Sequence, residues 1–139
     1  MRIMAIDYGD AHTGIAISDP TGFMAGFTTT IDAYRPEIVV QRITELARQH
    51  GAEELVLGHP KNMDGTLGPR VEKAEAMAAL LKEATGLPVV LWDERRTTID
   101  AHQILMAGGK NAKKRKKVVD AVAASLILEG YLTYKKSHS

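Results

Sequence analysis

The 139-residue sequence lacks cysteine entirely. This absence excludes disulfides, cysteine-ligated zinc and thiol nucleophiles. The sequence also lacks any apolar stretch close to the roughly 20 residues that a membrane helix needs. Its opening residues reach a carboxylate at Asp7, too early for a secretory signal peptide. We therefore expect a cytoplasmic protein with no membrane partner.

The net charge is also small, at only +1, but the charged residues are unevenly distributed along the chain. Six of the eight residues from Lys110 to Lys117 are basic. Near a helix N-terminus, cations oppose the helix dipole, so this placement gains nothing for the isolated fold. Beside a phosphate backbone the same cations would bind. A solvated, flexible basic loop is the alternative, and we favour nucleic-acid binding.

The pattern of apolar residues predicts five strands and four helices in one domain spanning residues 1–139. The predicted strands are Arg2–Ile6, Thr13–Ser18, Phe23–Ile31, Glu54–Gly58 and Pro88–Trp92. The predicted helices run from Pro36 to Gly51, from Pro69 to Gly86, from Thr97 to Gly108 and from about Ala112 to about Tyr134. Three strands joined by short turns form an antiparallel meander, and the later strands alternate with helices. The order indicates a mixed α/β sheet.

Acidic residues follow the predicted parallel strands. Asp7 follows the first of these strands, and Asp93 and Glu94 follow the last. The carboxyl ends of parallel strands meet at one edge of a sheet, where functional crevices lie. Asp120 shares a face of the last helix with apolar residues such as Ile127, which is costly for a carboxylate unless it is paired or binds a metal. The helix could bring Asp120 to the same edge.

Such a cluster has a chemical purpose. Two divalent metals can activate a water and stabilise the leaving oxygen in phosphodiester cleavage, and Mg²⁺ and Mn²⁺ prefer carboxylate oxygens. Structural roles remain open at this point. Asp7 could be a turn residue, Glu94 could pair with Arg95 or Arg96, and Asp120 could be an ordinary helix-end charge.

Weaker signals surround this edge. Lys61 and Arg70 flank a predicted loop and could contact a substrate backbone, or could be ordinary surface residues. His12 and His59 could contact phosphate, although we favour an ordinary structural role. Gly9 could help to cradle a phosphate, but its spacing matches no established phosphate-binding loop.

Several motifs in order along nearly the whole chain resemble the YqgF/RuvX-like family of the ribonuclease H-like superfamily. They are Asp7-Tyr8-Gly9, the run from Gly14 to Pro20, the run from Gly58 to Thr66, Gly68-Pro69-Arg70, Trp92-Asp93-Glu94-Arg95 with Thr97-Thr98, and the run from Lys113 to Asp120. The resemblance implies a ribonuclease H-like fold, a five-stranded mixed sheet with helices on both faces. It also implies a nuclease acting on Holliday-junction-like DNA or on the precursor of 16S rRNA.

By matching position, Asp7, Glu94 and Asp120 look like the family's acidic set, which would bind Mg²⁺ or Mn²⁺, as two ions once substrate is bound. Asp93 is expected to point elsewhere. We expect the nucleic acid to contact a set of basic residues, namely Lys61, Arg70, Arg95, Lys113, Lys114, Arg115, Lys116 and Lys117. The sequence departs from the family pattern at His12, where a basic residue is frequent, and at Thr13, where an aliphatic one is.

Two other functions compete with a nuclease. A non-catalytic ribosome-assembly factor on the same fold would keep the basic segment and need no metal. An ATPase of the actin-like or sugar-kinase type would use Asp7 and Gly9 in a phosphate loop, but those enzymes bind nucleotide between two such domains. A two-fold junction would also suit a homodimer.

Overall fold

The computed structural model describes residues 1–21, 25–59, 68–93 and 112–137, and in the last helix it describes the side chains of residues 122–136. These residues form five strands and three helices. They are β1 (Ile3–Asp7), β2 (His12–Ser18), β3 (Ala25–Asp32), α1 (Pro36–His50), β4 (Glu54–His59), α2 (Pro69–Thr85), β5 (Val89–Asp93) and α3 (Ala112–Ser137). The predicted elements are confirmed to within three residues at their described ends. The helix predicted from Thr97 to Gly108 lies outside the described residues.

The five strands form one sheet in the order β3-β2-β1-β4-β5. β1 pairs antiparallel with β2, and β2 with β3, because short turns reverse the chain between them. β1 and β4 are parallel, as are β4 and β5, because a helix intervenes in each connection. The predicted meander and the predicted parallel strands are therefore both confirmed.

Helices cover both faces of this sheet, because successive strand residues point to opposite sides. Met4 and Ile6 of β1 belong to a core that contains residues of α1 and α2. Ile3 and Ala5 belong to a second core, which contains residues of α3. β1 is thus buried on both sides, and its alternation assigns each later residue to one face.

Proline and glycine mark the helix boundaries. Pro36 and Pro69 lie in the first turns of α1 and α2, where the missing N–H of proline costs nothing. Gly51 and Gly86 follow the two helices with φ values of 68° and 71°, in the left-handed region that glycine adopts readily. None of the described helices combines the length and apolarity that spanning a bilayer requires.

Candidate functional site

Asp7 is the last residue of β1, the central strand of the sheet. It pairs with Gly14 of β2 and is half-buried. Because Ile3 and Ala5 pack toward α3, strand alternation places Asp7 on the same face of the sheet. The carboxylate therefore lies at the carboxyl edge of the parallel strands, on the side that α3 covers.

The end of β5 lies at the same edge. Trp92 pairs with Gly58, and Asp93 pairs with His59 of β4. Since β4 separates β1 from β5, the two strand ends are about 10 Å apart. Trp92 packs in the α3 core. Alternation therefore places Asp93 on the opposite face, away from Asp7.

The last helix carries the third predicted acidic residue. α3 packs across β1, β2, β3 and β4, and Asp120 lies in its first half. The backbone of Lys113–Lys117 is helical too, in place of the loop considered above. The side chains of Asp120 and of these basic residues lie outside the described part of the structure, as do Lys61, Glu94 and Arg95 altogether.

Asp7 is therefore the only member of the predicted acidic set whose side chain is described. Among the described residues, no three histidine or acidic side chains lie close enough together to hold a metal ion. The assignment of Asp7, Glu94 and Asp120 as a metal site stays a prediction. Two described features are relevant to this prediction, namely the position of Asp7 and the path of α3 across the sheet.

A cavity of about 300 Å³ opens immediately after Asp7, between the β1–β2 turn and the first turns of α2. Its lining consists of Tyr8, Gly9, Asp10, Ala11, His12, Arg70 and Lys73. At Gly9, an added Cβ would overlap the carbonyl oxygen of His12, so the turn closes only with glycine at this position. The predicted residues Gly9, His12 and Arg70 thus meet in one cavity.

Two cations and one carboxylate set the charge of this cavity. The Lys73 ammonium donates a hydrogen bond to the Asp10 carboxylate at 3.1 Å, and both side chains are largely exposed. Burial is the main cause that raises the pKa of the Tyr8 phenol, with a smaller contribution from the negative charge of Asp10. Tyr8 therefore stays protonated near neutral pH and keeps a hydroxyl donor beside the cavity.

Both histidines near this edge contact carboxylates. The His12 Nδ1 lies 2.7 Å from an Asp32 oxygen, and this contact links the start of β2 to the end of β3. The His59 Nε2 lies 3.1 Å from a Glu75 oxygen, which links the end of β4 to α2. Both histidines are strand-end residues rather than loop residues, and their contacts join neighbouring elements.

Sequence reasoning missed Lys73. One signal was available, because Lys73 follows Arg70 by three residues on α2 and side chains at this spacing share a helix face. Lys61 and Arg70 stood out in the sequence because they flank a predicted loop, and positions farther along α2 were not considered with them. The ion pair between Lys73 and Asp10 depends on how α2 packs against the β1–β2 turn, which no local pattern reveals.

The chain is similar to known proteins along nearly its whole length. A family model described as "RuvX: Holliday junction resolvase" matches residues 1–134. A protein of Halothermothrix orenii named "Putative pre-16S rRNA nuclease" is 45% identical over 97% of this chain and 96% of its own length. A protein of the same name from Geobacillus kaustophilus is 44% identical over 98% of this chain and 100% of its own.

A solved structure supports the fold. Thermus thermophilus RuvC in complex with a Holliday junction substrate superimposes with a TM-score of 0.65 and 16% identity, covering 100% of this chain and 98% of that one. At this identity the likeness shows the α/β fold alone. The sequence matches supply the family, and they confirm the prediction of a nuclease. The chain belongs to the RuvX family of Holliday junction resolvases.

Proposed function

We propose that this protein is a divalent-metal-dependent endonuclease that hydrolyses phosphodiester bonds in structured nucleic acid, with Asp7, Glu94 and Asp120 as the metal-binding residues. One observation carries the proposal. Asp7 lies at the carboxyl edge of the central strand, on the sheet face covered by the helix that contains Asp120. Family membership supplies the class of reaction.

The donor chemistry fits Mg²⁺ or Mn²⁺. The proposed ligands are all carboxylates, and these hard oxygen donors suit both ions. Asp7 is only half-buried, so its carboxylate remains accessible from the edge of the sheet. Bound divalent ions would activate the attacking water and neutralise charge on the departing oxygen.

The other residues hold the substrate. Arg70 and Lys73 line the cavity between the β1–β2 turn and α2 and would bind backbone phosphates of the substrate. Lys61, Arg95 and Lys113–Lys117 are proposed to extend these contacts. Asp7 would orient the ions against the scissile phosphate, and β1, buried on both faces, holds Asp7 in place.

We propose precursor ribosomal RNA as the first substrate to test. The relatives named for it share 44–45% identity with this chain, whereas the junction-bound structure shares 16%. Junction DNA is the comparison substrate. We propose that one domain spanning residues 1–139 does this work in the cytoplasm, and that a homodimer forms if a two-fold junction is cut.

The test is cleavage of a precursor 16S rRNA fragment and of a four-way DNA junction, with and without Mn²⁺, by wild type and Asp7→Asn. Asp7→Asn should reduce cleavage by more than about 100-fold, since losses even of residues that only support a metal ligand cost about 10–100-fold. Binding in EDTA and thermal unfolding should change little.

Asp19→Asn is the matched control. Asp19 follows β2, whose end pairs near the start of β1, so it lies at the opposite edge of the sheet from Asp7. This variant should cut like wild type. Full cleavage by purified Asp7→Asn would defeat the assignment of Asp7. Salt-sensitive binding by wild type without any metal-dependent cleavage would instead favour the assembly-factor alternative.

A further inference from the structure

A second cavity of about 260 Å³ adjoins the one at the β1–β2 turn and shares Tyr8, Asp10 and Lys73 with it. Its remaining lining is mainly apolar and aromatic, and consists of Tyr34, Pro36, Ala76, Met77 and Leu80. We call the two cavities together the turn groove. Its polar half is lined by residues 8–12, Arg70 and Lys73, and its apolar half by the five residues just named.

The backbone fixes the two halves beside each other. Tyr34 lies between β3 and α1, and its neighbour Ala33 donates a backbone hydrogen bond to the Ala11 carbonyl at 3.1 Å. The contact of His12 with Asp32 holds the same two segments together. Tyr34 is thus presented beside the β1–β2 turn by contacts that do not involve its own ring.

The polar half suits a phosphate. Arg70 and Lys73 supply two positive charges against the single negative charge of Asp10. The ion pair between Lys73 and Asp10 is exposed, with side-chain exposures of 58% and 82%. Such pairs contribute little because water competes with them. A phosphate oxygen could therefore replace the Asp10 carboxylate as the partner of Lys73.

The apolar half suits a nucleobase. Tyr34 is 79% exposed and Leu80 is 43% exposed. Single exposed apolar residues are common on protein surfaces. Here two of the six large hydrophobic side chains found exposed among the described residues line the same small cavity, next to two cations. Aromatic side chains beside a cationic channel are typical of sites that bind single-stranded nucleic acid.

We propose that the turn groove binds one unpaired nucleotide of the substrate strand, with its phosphate at Arg70 and Lys73 and its base against Tyr34. The inference rests on the proposed function only in taking nucleic acid as the ligand. The groove lies at the same end of β1 as Asp7 but on the face that α1 and α2 cover, so it would hold a nucleotide on the α2 side of that strand end. A base inside a duplex is stacked on its neighbours and cannot offer its face to Tyr34.

The first experiment measures binding of the full chain to a labelled short oligouridylate by fluorescence anisotropy in EDTA, where cleavage is blocked. Tyr34→Ala should weaken binding about tenfold, as expected for one lost base–aromatic stack. Tyr34→Phe should bind like wild type. Equal affinity of Tyr34→Ala and wild type would overturn the proposal.

Lysine variants separate the groove from general basicity. Lys73→Gln should weaken binding several-fold and lower the dependence of affinity on salt by about one phosphate contact. Lys82→Gln is the matched control, since Lys82 is exposed in the last turn of the same helix and lines neither half of the groove. If the two substitutions weakened binding equally, Lys73 would contribute only as a general surface charge, and the proposal would be contradicted.

Asp10→Asn provides a test that damage to folding cannot mimic. It removes the competing carboxylate and one negative charge, so binding of the oligouridylate should become about two- to fivefold tighter. Weaker binding would contradict the proposed phosphate site. In a blunt duplex of matched length, Tyr34→Ala should leave affinity unchanged, and an equal loss there would contradict the requirement for an unpaired base.

The source of the nucleotide is also tested. Uridine 5′-monophosphate should compete only weakly, and competition as strong as that of the oligouridylate would assign the groove to free nucleotides and overturn the proposal. Failure here is distinguishable from failure of the nuclease. Wild-type cleavage with unchanged binding of Tyr34→Ala would reject the groove alone, whereas loss of binding without any wild-type cleavage would reject the nuclease alone.

Discussion

Tyr131 shows how one residue joins two distant elements, β4 and α3. Its ring is buried in the core between α3 and the sheet, and its hydroxyl donates a hydrogen bond to the Glu54 carboxylate. Lys135 contacts the same carboxylate at 3.3 Å, and its ammonium lies 5.6 Å from the Tyr131 ring centre. The start of β4 and the end of α3 are thereby connected by two polar contacts to one carboxylate.

Tyr131→Phe removes this contact with little change in shape. We expect the free energy of unfolding to fall by about 1.5–3 kcal/mol near neutral pH, the contribution of a hydrogen bond to a charged acceptor. Denaturant titrations of wild type and the variant measure the difference. Tyr34→Phe is the control, because Tyr34 is 79% exposed and its side chain is open to water. A loss of unfolding free energy in the control as large as that in Tyr131→Phe would contradict the assigned contribution of the Tyr131 hydroxyl.

The same contact has a pH dependence of known sign. Burial, followed by the hydrogen bond to Glu54, raises the pKa of Tyr131. The folded chain therefore keeps the phenolic proton where the unfolded chain, with an ordinary pKa of about 10, has lost it. This stabilisation is complete below about pH 10 and is lost as pH rises toward the folded value. The difference in free energy of unfolding between wild type and Tyr131→Phe should therefore shrink as pH rises above about 10. A difference that widens would contradict the assignment.

At the scale of the elements, the helix boundaries follow from local chemistry. Gly86 ends α2 in the left-handed region, and its N–H bonds to the Lys82 carbonyl at 3.0 Å. Nothing lies within 4 Å of a Cβ placed there, so only the backbone conformation demands glycine. Sequence reasoning located this boundary because the demand is carried by the residue itself.

Replacing glycine by alanine just after α2, and alanine by glycine inside α2, should therefore both destabilise the protein. Gly86→Ala should lower the free energy of unfolding by about 1 kcal/mol, since alanine is disfavoured at positive φ. Ala79→Gly, at an exposed position inside the helix, should lower it by about 0.5–1 kcal/mol. Chemical denaturation measures both. A gain in stability for Gly86→Ala would show that the helix continues past this residue in solution.

The short strands also follow from local pattern. β1 and β4 are almost wholly apolar, as expected of strands buried on both faces. β3 is different, because half of its eight residues are exposed, only Ile31 is buried, and it forms an edge of the sheet. Its place beside β2 follows from the short connection between them.

At the scale of the whole molecule, one hydrophobic core lies on each face of the sheet. Leu81 is buried in the core of α1 and α2, and Ile127 is buried in the core of α3. Truncation of either side chain to alanine should cost about 2–5 kcal/mol of stability. The two variants should differ in activity, because only α3 carries a residue of the proposed metal site.

Under conditions where both variants remain folded, Ile127→Ala should reduce metal-dependent cleavage more than Leu81→Ala does. Cleavage rates normalised to the folded fraction, with circular dichroism as the measure of folding, provide the comparison. Equal rates for variants of equal stability would argue that the position of α3 does not matter for catalysis.

The turn groove also belongs to the scale of the molecule. Tyr8 and Asp10 come from the β1–β2 turn, Tyr34 from the segment before α1, and Lys73 from α2. Sequence reasoning identified Gly9 and Arg70 as weak candidates because each stands out locally. It did not pair them with Tyr34, since nothing near Tyr34 along the chain indicates what lies beside it in space.

The sequence by itself determined the helices and strands, which strands are parallel or antiparallel, and the family. Apolar periodicity, proline and glycine act over a few residues at a time, and the family motifs are short stretches that stand in order along the chain. Tertiary structure alone decided which distant side chains meet. It joins Tyr34 to Lys73 across one groove and brings Lys73 to Asp10. These relations depend on packing between elements far apart in the chain, which no local pattern encodes.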